Sequence, residues 1–361
     1  VAMTTITLRS AELFDVYLTF RQPMQTAIST LSKRRTTILR LTDQEGRIGY
    51  GEGVAFETPW YTAETQDSLR ALSPLLYRLL AAAPLSSPAA VAARFQPIKG
   101  NQMAKAMFDG AVHELFAQAE QTSLAAYLGG DENRPIPCGK ALGRSSAEQT
   151  VEAVGQALND GFERIKLKLA PTDTAVLEQV RKSFPDAPLM FDANGSFQLA
   201  DLPLLQEWDT FSMLMMEQPF PADDWLSHQH AASLLKTPLC LDESIQTTQD
   251  ALLMRTLQAG QIINIKPARL GGLTAALDVR SISPSYWLGG MFESGIGRRQ
   301  TLAFATLPGL AYPIDMSGTD QYFIEDLLEQ DYIVENGSIR YAEHPVSRER
   351  LERLAVSTKK L

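Results

Sequence analysis

The chain has 361 residues, of which 45% are hydrophobic and 21% charged, and its formal net charge is −9. This length and composition predict a soluble protein with a large core and more than one domain. The acidic balance argues against a nucleic-acid partner, because phosphate binding depends on clustered Lys and Arg, and the longest basic run, 33–35, is short.

Two further patterns indicate the compartment. No signal-peptide pattern opens the chain and no window is apolar enough to cross a bilayer, so we expect a cytoplasmic protein with no membrane partner. The two cysteines, Cys138 and Cys240, form no CxxC pair, as expected of free thiols in a reducing compartment.

Residues 1–130 are predicted to form an α+β domain. Two β-rich runs, 6–20 and 35–41, precede a turn at Glu45-Gly46 and a further strand over 47–50, which together indicate an antiparallel hairpin. Helical patterns follow and end at Gly129-Gly130, a typical helix C-cap; they cover residues 63–83, 88–95 and 102–128.

Residues 131–320 are predicted to form an α/β domain, a TIM-type barrel. Short apolar runs alternate here with amphipathic helical stretches, which is the pattern of repeated βα units. Eight such runs predict a closed barrel. The candidate strands are 136–142, 164–169, 188–192, 212–217, 238–242, 262–266, 286–292 and 310–315.

The segment 321–361 follows the last candidate strand. It contains a hairpin pattern, in which the runs 332–335 and 338–341 flank the turn residues Asn336-Gly337. We expect this segment to leave the barrel and pack on the first domain.

Five charged residues each close one of five consecutive apolar runs in the barrel region. They follow one another at intervals of 24 or 25 residues, about one βα unit each; they are Lys168, Asp192, Glu217, Asp242 and Lys266. Any one of them alone is typical of a solvated strand end. Because active sites lie at the C-terminal ends of barrel strands, five in register indicate a catalytic site.

The three carboxylates in this set indicate a divalent-metal site. Asp192, Glu217 and Asp242 would repel one another unless a cation neutralised them, and carboxylate oxygens suit Mg²⁺, with Mn²⁺ as an alternative. A cation there would act as a Lewis acid beside a carboxylate that loses a neighbouring proton. We therefore expect a small-molecule carboxylate substrate.

Lysines flank the carboxylates in sequence order. Lys166 and Lys168 share one face of their strand, so like-charge repulsion favours the neutral form of Lys168 that a general base requires. Lys266 is expected on the opposite side of the barrel. Two opposed lysines permit proton removal and return on opposite faces of a substrate, or removal on one face with an electrostatic role for the other lysine.

The strand ends resemble those of a known family. The motifs KLK (166–168), FDAN (191–194), MEQP (216–219), LDES (241–244) and NIKPARLGG (264–272) are similar to those of the enolase superfamily. The match is to the subgroup that contains muconate cycloisomerase and o-succinylbenzoate synthase. None of the four histidines ends a candidate strand, in keeping with a subgroup that uses lysine bases.

This resemblance implies a fold and a site. The fold would be a modified (β/α)7β barrel with a capping domain built from the N-terminal region and the C-terminal tail. Asp192, Glu217 and Asp242 would bind Mg²⁺, and Lys168 and Lys266 would lie on opposite faces of the substrate. Lys166 would tune its neighbour.

Two later segments narrow the resemblance to o-succinylbenzoate synthases and N-acylamino acid racemases, namely 289–297 and 315–322. The implied reaction is the syn-dehydration of 2-succinyl-6-hydroxy-2,4-cyclohexadiene-1-carboxylate to 2-succinylbenzoate in menaquinone biosynthesis. Racemisation of N-acylamino acids on the same lysines is the alternative. Dipeptide epimerases of the subgroup usually carry Asp-x-Asp where this chain has Asp315-Met-Ser317, which argues against that activity.

Three matters stay open at this stage. A barrel that has lost activity and persists as a binding protein is a rival interpretation, although the retention of all five strand-end groups argues against it. A homo-oligomer is compatible with the sequence. The physiological substrate is not fixed by the motifs, since both activities use the same two lysines.

Further residues are candidates for the substrate pocket and its cover. The pocket candidates are Asn194, Asn264, Gly289, Gly290, Met291, Ser294, Gly295 and Ile296. Gly289 and Gly290 could equally serve only a tight strand exit. A lid is expected from residues 22–31, which include Met24 and Ile28, because barrel loops alone rarely exclude water.

Overall fold

The computed structural model describes residues 4–25, 29–283 and 285–361. Within these ranges, no helix combines the length and apolar composition needed to cross a bilayer. The chain forms an antiparallel sheet with helices beside it, followed by a curled parallel sheet surrounded by helices.

The N-terminal elements follow the predicted order. The strands are β1 (Leu8–Gln25), β2 (Thr30–Asp43) and β3 (Ile48–Gly53), and the helices are α1 (Gln66–Ala81), α2 (Ala89–Phe95), α3 (Gln102–Ala119) and α4 (Leu124–Tyr127). The predicted single helix over 102–128 is wrong. Its path breaks after Ala119, where Gln121 takes a positive φ of 54° and the Ser123 hydroxyl caps α4 by accepting the Ala126 N–H.

Helix α3 packs directly on the backbone of β3. A Cβ atom on Gly51 would lie 1.7 Å from the carbonyl oxygen of Met107, and one on Gly49 would lie 2.0 Å from that of Ala111. Glycine is therefore required at both positions, because any side chain would separate the strand from the helix. This close contact lets the buried helix α3 fill the space between the N-terminal sheet and the barrel.

The predicted barrel is present as a curled parallel sheet. In the described chain its seven strands run in the order β5 to β11. They are β5 (Lys140–Leu142), β6 (Ile165–Lys168), β7 (Leu189–Asp192), β8 (Met216–Glu217), β9 (Leu239–Leu241), β10 (Ile262–Ile265) and β11 (Tyr286–Leu288).

Helices lie between these strands and after them. They are α5 (Ala147–Asn159), α6 (Thr174–Ser183), α7 (Leu202–Trp208), α8 (Trp225–Leu234), α9 (Thr248–Leu257), α10 (Pro267–Leu270), α11 (Leu273–Ile282) and α12 (Gly295–Ala305), with 3-10 turns at Leu199–Asp201 and Asp209–Phe211. The alternation of strand and helix confirms the predicted βα repeat.

The predicted eighth strand, 310–315, is reduced to single bridges. Ile314 pairs in parallel with Cys138, beside β5, and Asp315 pairs with Gly289, at the end of β11. These two residues therefore connect the opposite edges of the seven-stranded sheet. The first candidate strand, 136–142, is also interrupted, because β4 (Ile136–Pro137) separates from β5 at Gly139.

The tail contacts both sheets. Its elements are α13 (Thr319–Tyr322), β12 (Ser338–Ile339), α14 (Arg348–Leu354) and β13 (Ala355–Lys360). The predicted turn at Asn336-Gly337 is present, and Glu335 pairs antiparallel with Ser338 across it, so the predicted hairpin is reduced to this single bridge while β12 also pairs with β4. Strand β13 pairs antiparallel with β1, so the tail completes the N-terminal sheet, as predicted.

We predict that Gly51→Ala lowers the free energy of unfolding by about 3 kcal/mol, because the new methyl group forces β3 away from α3. A guanidinium titration measures the change. Gly143→Ala is the control, since a Cβ there meets no described atom within 4 Å, and its effect should stay within about 0.5 kcal/mol. Equal stability of the two variants would contradict the close packing.

Candidate active site

Strand alternation sends the charged residues into the barrel. The outward residues of β6 and β7 pack with the surrounding helices in one apolar cluster; they are Ile165, Leu167, Leu189 and Phe191. Because successive side chains point to opposite faces, Lys166, Lys168 and Asp192 face the interior. The parallel register aligns Lys168 with Asp192 and Asp192 with Glu217.

The five predicted strand-end residues lie at one end of the sheet. Asp242 directly follows β9, and Lys266 directly follows β10. Strands β7, β8 and β9, which carry the carboxylates, lie between β6 and β10, which carry the lysines. The sheet order therefore puts one lysine on each side of the three carboxylates.

Basic side chains contact each of the three carboxylates Asp192, Glu217 and Asp242. Lys166 Nζ lies 3.2 Å from Glu217 Oε2 and 3.4 Å from Asp192 Oδ2. Asp242 accepts hydrogen bonds from Lys266 Nζ at 2.7 Å and from the Arg269 guanidinium. Among the described residues, no three His, Cys, Asp or Glu side chains are arranged to enclose a metal ion.

The chemistry of the acidic cluster nevertheless fits a divalent cation. Burial and the nearby Asp192 raise the pKa of Glu217 to about 8, and burial and Asp242 raise the pKa of Glu243 to about 7. Glu243 Oε2 is buried with no hydrogen-bond partner in the described part of the chain. A cation would relieve the repulsion among these crowded carboxylates, whose oxygens are the hard ligands that Mg²⁺ and Mn²⁺ prefer.

Lys168 differs from the other two lysines because it is exposed. Its Nζ donates to Asn194 Oδ1 at 3.2 Å, and Asn194 Nδ2 donates to Glu243 Oε1 at 2.9 Å. Asn194 has a positive φ of 44°, a conformation that asparagine tolerates better than most residues. This backbone turn places the predicted pocket residue Asn194 between the candidate base and the acidic cluster.

Lys166 is held as a cation. Burial lowers the pKa of Lys166, but Asp315, Glu217 and Asp192 together raise it well above its usual value. The three carboxylates therefore balance the charge of Lys166.

Lys266 approaches the carboxylates from the other side. Burial lowers the pKa of Lys266, but the pairing with Asp242 raises it above its usual value. The Tyr61 hydroxyl lies 3.4 Å from Lys266 Nζ and accepts from Arg269 Nη1 at 2.7 Å. Tyr61 lies between β3 and α1, so the N-terminal domain reaches this lysine.

Gly289 gives Lys266 and Asn264 the space they occupy. A Cβ atom on Gly289 would lie 2.5 Å from Asn264 Oδ1 and 2.8 Å from Lys266 Cε. Asn264 Nδ2 donates to Glu217 Oε1 at 2.7 Å. Glycine is therefore needed at position 289 to avoid overlap with Asn264 and Lys266, and not only to allow a tight strand exit.

Several other pocket candidates connect the barrel with the N-terminal domain and the tail. The Ser294 N–H and hydroxyl donate to the Glu52 carboxylate at 2.9 and 2.7 Å, and the Gly295 N–H donates to Asp326 at 2.7 Å. Ile296 is fully buried, and Met291 is buried in the core cluster of the N-terminal domain. Gly290 directly follows Gly289 and is half-buried. A substrate role for these residues stays a prediction.

The lid prediction and the observed cover differ in part. Met24 pairs with Leu31, while Ile28 lies outside the described residues. The observed contact with Lys266 comes from a different segment, through Tyr61. Sequence reasoning missed this segment, although three aromatic residues within six positions, Phe56, Trp60 and Tyr61, were a signal for it.

Aromatic rings join this segment to the barrel and the tail. Phe56 packs on Trp60 with ring centroids 4.6 Å apart and on Phe292 at 6.4 Å, and Phe292 packs on Tyr322 at 5.8 Å. Glu293 follows Phe292 and is buried, and neither of its carboxylate oxygens has a hydrogen-bond partner among the described residues. Burial raises the pKa of Glu293, and sequence reasoning missed this buried acid.

Family models match both parts of the chain. Residues 8–129 match the mandelate racemase / muconate lactonizing enzyme N-terminal domain, and residues 149–345 match the enolase C-terminal domain-like family. The chain belongs to the enolase superfamily. The two matches confirm the predicted resemblance. Members of this superfamily are generally divalent-metal-dependent enzymes that act on small molecules.

Individual relatives match nearly the whole chain. The o-succinylbenzoate synthase of Bacillus subtilis (strain 168) is 36% identical over 346 residues, which cover 94% of this chain and 93% of the relative. The N-succinylamino acid racemase of Thermus thermophilus is 38% identical and covers 91% of each chain. The crystal structure of an enolase-superfamily member from Enterococcus faecalis V583 aligns with a TM-score of 0.94 at 35% identity, over 99% of this chain and 100% of that chain.

We predict that the stability of the metal-free protein falls as the pH rises from about 4.5 to 8. In this window folded Glu217 keeps its proton while the unfolded chain loses it, so the folded state binds more protons. Glu217→Gln should flatten the dependence by up to about 1.4 kcal/mol per pH unit, measured by denaturation in a chelator.

Glu148→Gln, which removes an exposed carboxylate on α5, is the control for this measurement and should leave the slope unchanged. An unchanged slope in Glu217→Gln as well would contradict a protonated Glu217 in the metal-free site.

Proposed function

We propose that the protein is an o-succinylbenzoate synthase. It would dehydrate 2-succinyl-6-hydroxy-2,4-cyclohexadiene-1-carboxylate to 2-succinylbenzoate in menaquinone biosynthesis. The observation that carries the proposal is the arrangement of Lys168 and Lys266 on strands that flank those of three carboxylates. The 36% identity with the Bacillus subtilis synthase, over almost the whole chain, supports this choice of reaction.

Asp192, Glu217 and Asp242 are the residues that would hold the cation, which we propose is Mg²⁺, with Mn²⁺ as an alternative. When bound, such a cation supplies Lewis acidity that stabilises negative charge on a substrate carboxylate. The raised pKa of Glu217 and the unpartnered Glu243 oxygen support a cation at this end of the sheet.

Lys168 is suited to remove the ring proton. It is the exposed lysine of the set, and its Nζ has a single neutral partner, Asn194 Oδ1, among the described residues. The proton next to the substrate carboxylate passes to Lys168, and the electron pair left behind expels the hydroxyl group as the ring becomes aromatic. In a syn elimination that group leaves from the same face, so Lys168 can return the proton and release water.

Lys266 is suited to an electrostatic role. It is half-buried, its pairing with Asp242 keeps it protonated, and its charge would stabilise the anionic intermediate from the opposite face. Tyr61 contacts both Lys266 and Arg269, which lets the capping domain fix their positions. The aromatic residues around Tyr61 would exclude water from that intermediate.

The same proposal includes the division of the chain into domains, its cellular location and its oligomeric state. Residues 1–130 and 321–361 would form the capping domain and residues 131–320 the catalytic barrel, with the substrate between them. The pocket candidates, from Asn194 to Ile296, would line this space. Both cysteines are buried and free, in keeping with a cytoplasmic location, and a homo-oligomer is compatible with the proposal.

N-succinylamino acid racemisation is the second candidate. It requires two lysines that exchange protons with one carbon from opposite faces, and this site offers Lys168 and Lys266. The 38% identity with the racemase of Thermus thermophilus favours it independently. The two activities are compatible, because each begins with proton removal beside a carboxylate.

We predict that the Mg²⁺-loaded protein converts the cyclohexadiene substrate to the aromatic product, followed by absorbance. Lys168→Ala should lower kcat by at least about 10³-fold, because the base is lost, while Mg²⁺ binding is retained. Lys182→Ala, on the exposed face of α6, is the matched control and should keep full activity.

Incubation with N-succinylamino acids in D₂O tests the alternative. Efficient hydrogen exchange without formation of the aromatic product would reject the synthase in favour of the racemase. Wild-type turnover by Lys168→Ala would remove Lys168 from the role of base.

A further inference from the structure

Asp315 lies where the two edges of the barrel sheet meet. Its N–H donates to the Leu288 carbonyl at 2.8 Å, while its neighbour Ile314 bridges to Cys138. The side chain of Asp315 contacts two basic groups of one strand region, Arg164 and Lys166. Ion pairs thus connect the eighth barrel segment, 310–315, with the start of β6 across the sheet edge.

Arg164 is fixed by the barrel itself. Its side chain is fully buried, its Nε donates to the Pro313 carbonyl at 2.8 Å and its Nη2 to the Ile314 carbonyl at 3.1 Å. The guanidinium lies 4.5 Å from the Trp287 ring. A Cβ atom on Gly139 would come within 2.1 Å of Nη2, so the chain leaves space for this one orientation.

Both oxygens of Asp315 are engaged. Oδ1 lies 3.3 Å from Arg164 Nη2, and Oδ2 forms an ion pair with Lys166 Nζ. This ion pair is shorter than the contacts of Lys166 with Glu217, at 3.2 Å, and Asp192, at 3.4 Å. Asp315 therefore competes with two proposed metal ligands for one ammonium group.

We propose that Asp315 is a positioning residue that holds Lys166 beside the eighth barrel segment and so leaves Asp192 and Glu217 available to a divalent cation. This inference rests on the proposed function only in taking those two carboxylates as metal ligands. It also gives Asp315 an internal role, because both of its carboxylate oxygens contact basic side chains of the barrel.

Asp315→Asn tests the proposal, because asparagine keeps the shape and removes the charge that holds Lys166. Freed from Asp315, Lys166 turns to Glu217 and Asp192, and the Kd for Mg²⁺ should rise about tenfold. In a Lys166→Met background the same substitution should change the Kd less than about twofold, since no ammonium remains to be positioned. Isothermal titration calorimetry with Mg²⁺ alone measures all four proteins.

Asp109→Asn is the matched control. Asp109 is also buried, but it lies on α3 and bonds to Thr274 and His113, so its loss should leave the Kd for Mg²⁺ unchanged. An equal loss of affinity from Asp315→Asn in both backgrounds would overturn the proposal, because Asp315 would then act only as a distant charge. No loss in either background would also overturn it.

Gly139→Ala provides a second cycle if Lys166→Met does not fold, as judged by circular dichroism. It displaces Arg164 without changing any charge, so it should weaken Mg²⁺ binding in the wild type but not in Asp315→Asn. If the losses of Mg²⁺ affinity from Gly139→Ala and Asp315→Asn add up in the double variant, the two residues act independently and the proposal is rejected. Because calorimetry uses no substrate, a protein that shows the coupling but forms no aromatic product would contradict the proposed reaction and not this inference.

Discussion

Mutual repulsion among carboxylates on neighbouring parallel strands is the constraint on which this structure depends. The register of β7 and β8 aligns Asp192 with Glu217, and Asp242 follows at the end of β9. Burial strengthens the repulsion, because charges interact more strongly away from water. Basic side chains on both sides of the carboxylates offset this repulsion. Lys166 lies on one side, and Lys266 with Arg269 lies on the other.

The same electrostatic logic joins the domains. Glu52 of β3 accepts N–H groups from the start of α12, where the partial positive charge of a helix N-terminus favours an anion. Glu114 of α3 pairs with Arg299, also on α12. The capping domain is thus fastened to the barrel beside the strand ends, and Tyr61 can contact Lys266 from this fixed position.

The sequence predicted what depends on local pattern. The apolar runs and their spacing placed Lys168, Asp192 and Glu217 at strand ends, because strand alternation and parallel register follow from backbone geometry. Contacts between distant segments could not be predicted in this way. Tyr61 and Lys266 are 205 residues apart, and the partners of Asp315 depend on where the sheet edges meet.

The wrong element predictions have the same origin. Apolar periodicity continues from 102 to 128, but the backbone turns at Gln121 to let α4 pack separately. The Asn336-Gly337 turn was recognised correctly, but its hairpin is limited to the Glu335–Ser338 bridge, and β12 pairs with the distant strand β4. Local sequence specifies a turn, while tertiary packing determines which strand pairs with the segment after the turn.

The central claim is that the three strand-end carboxylates form one metal site between Lys168 and Lys266. Crystals soaked in Mn²⁺ and measured for anomalous scattering test it most directly. The account predicts one strong peak bonded to Asp192, Glu217 and Asp242, with Lys168 and Lys266 on opposite sides of it. A peak elsewhere, or carboxylates that stay paired with Lys166 and Lys266 in saturating Mn²⁺, would contradict it.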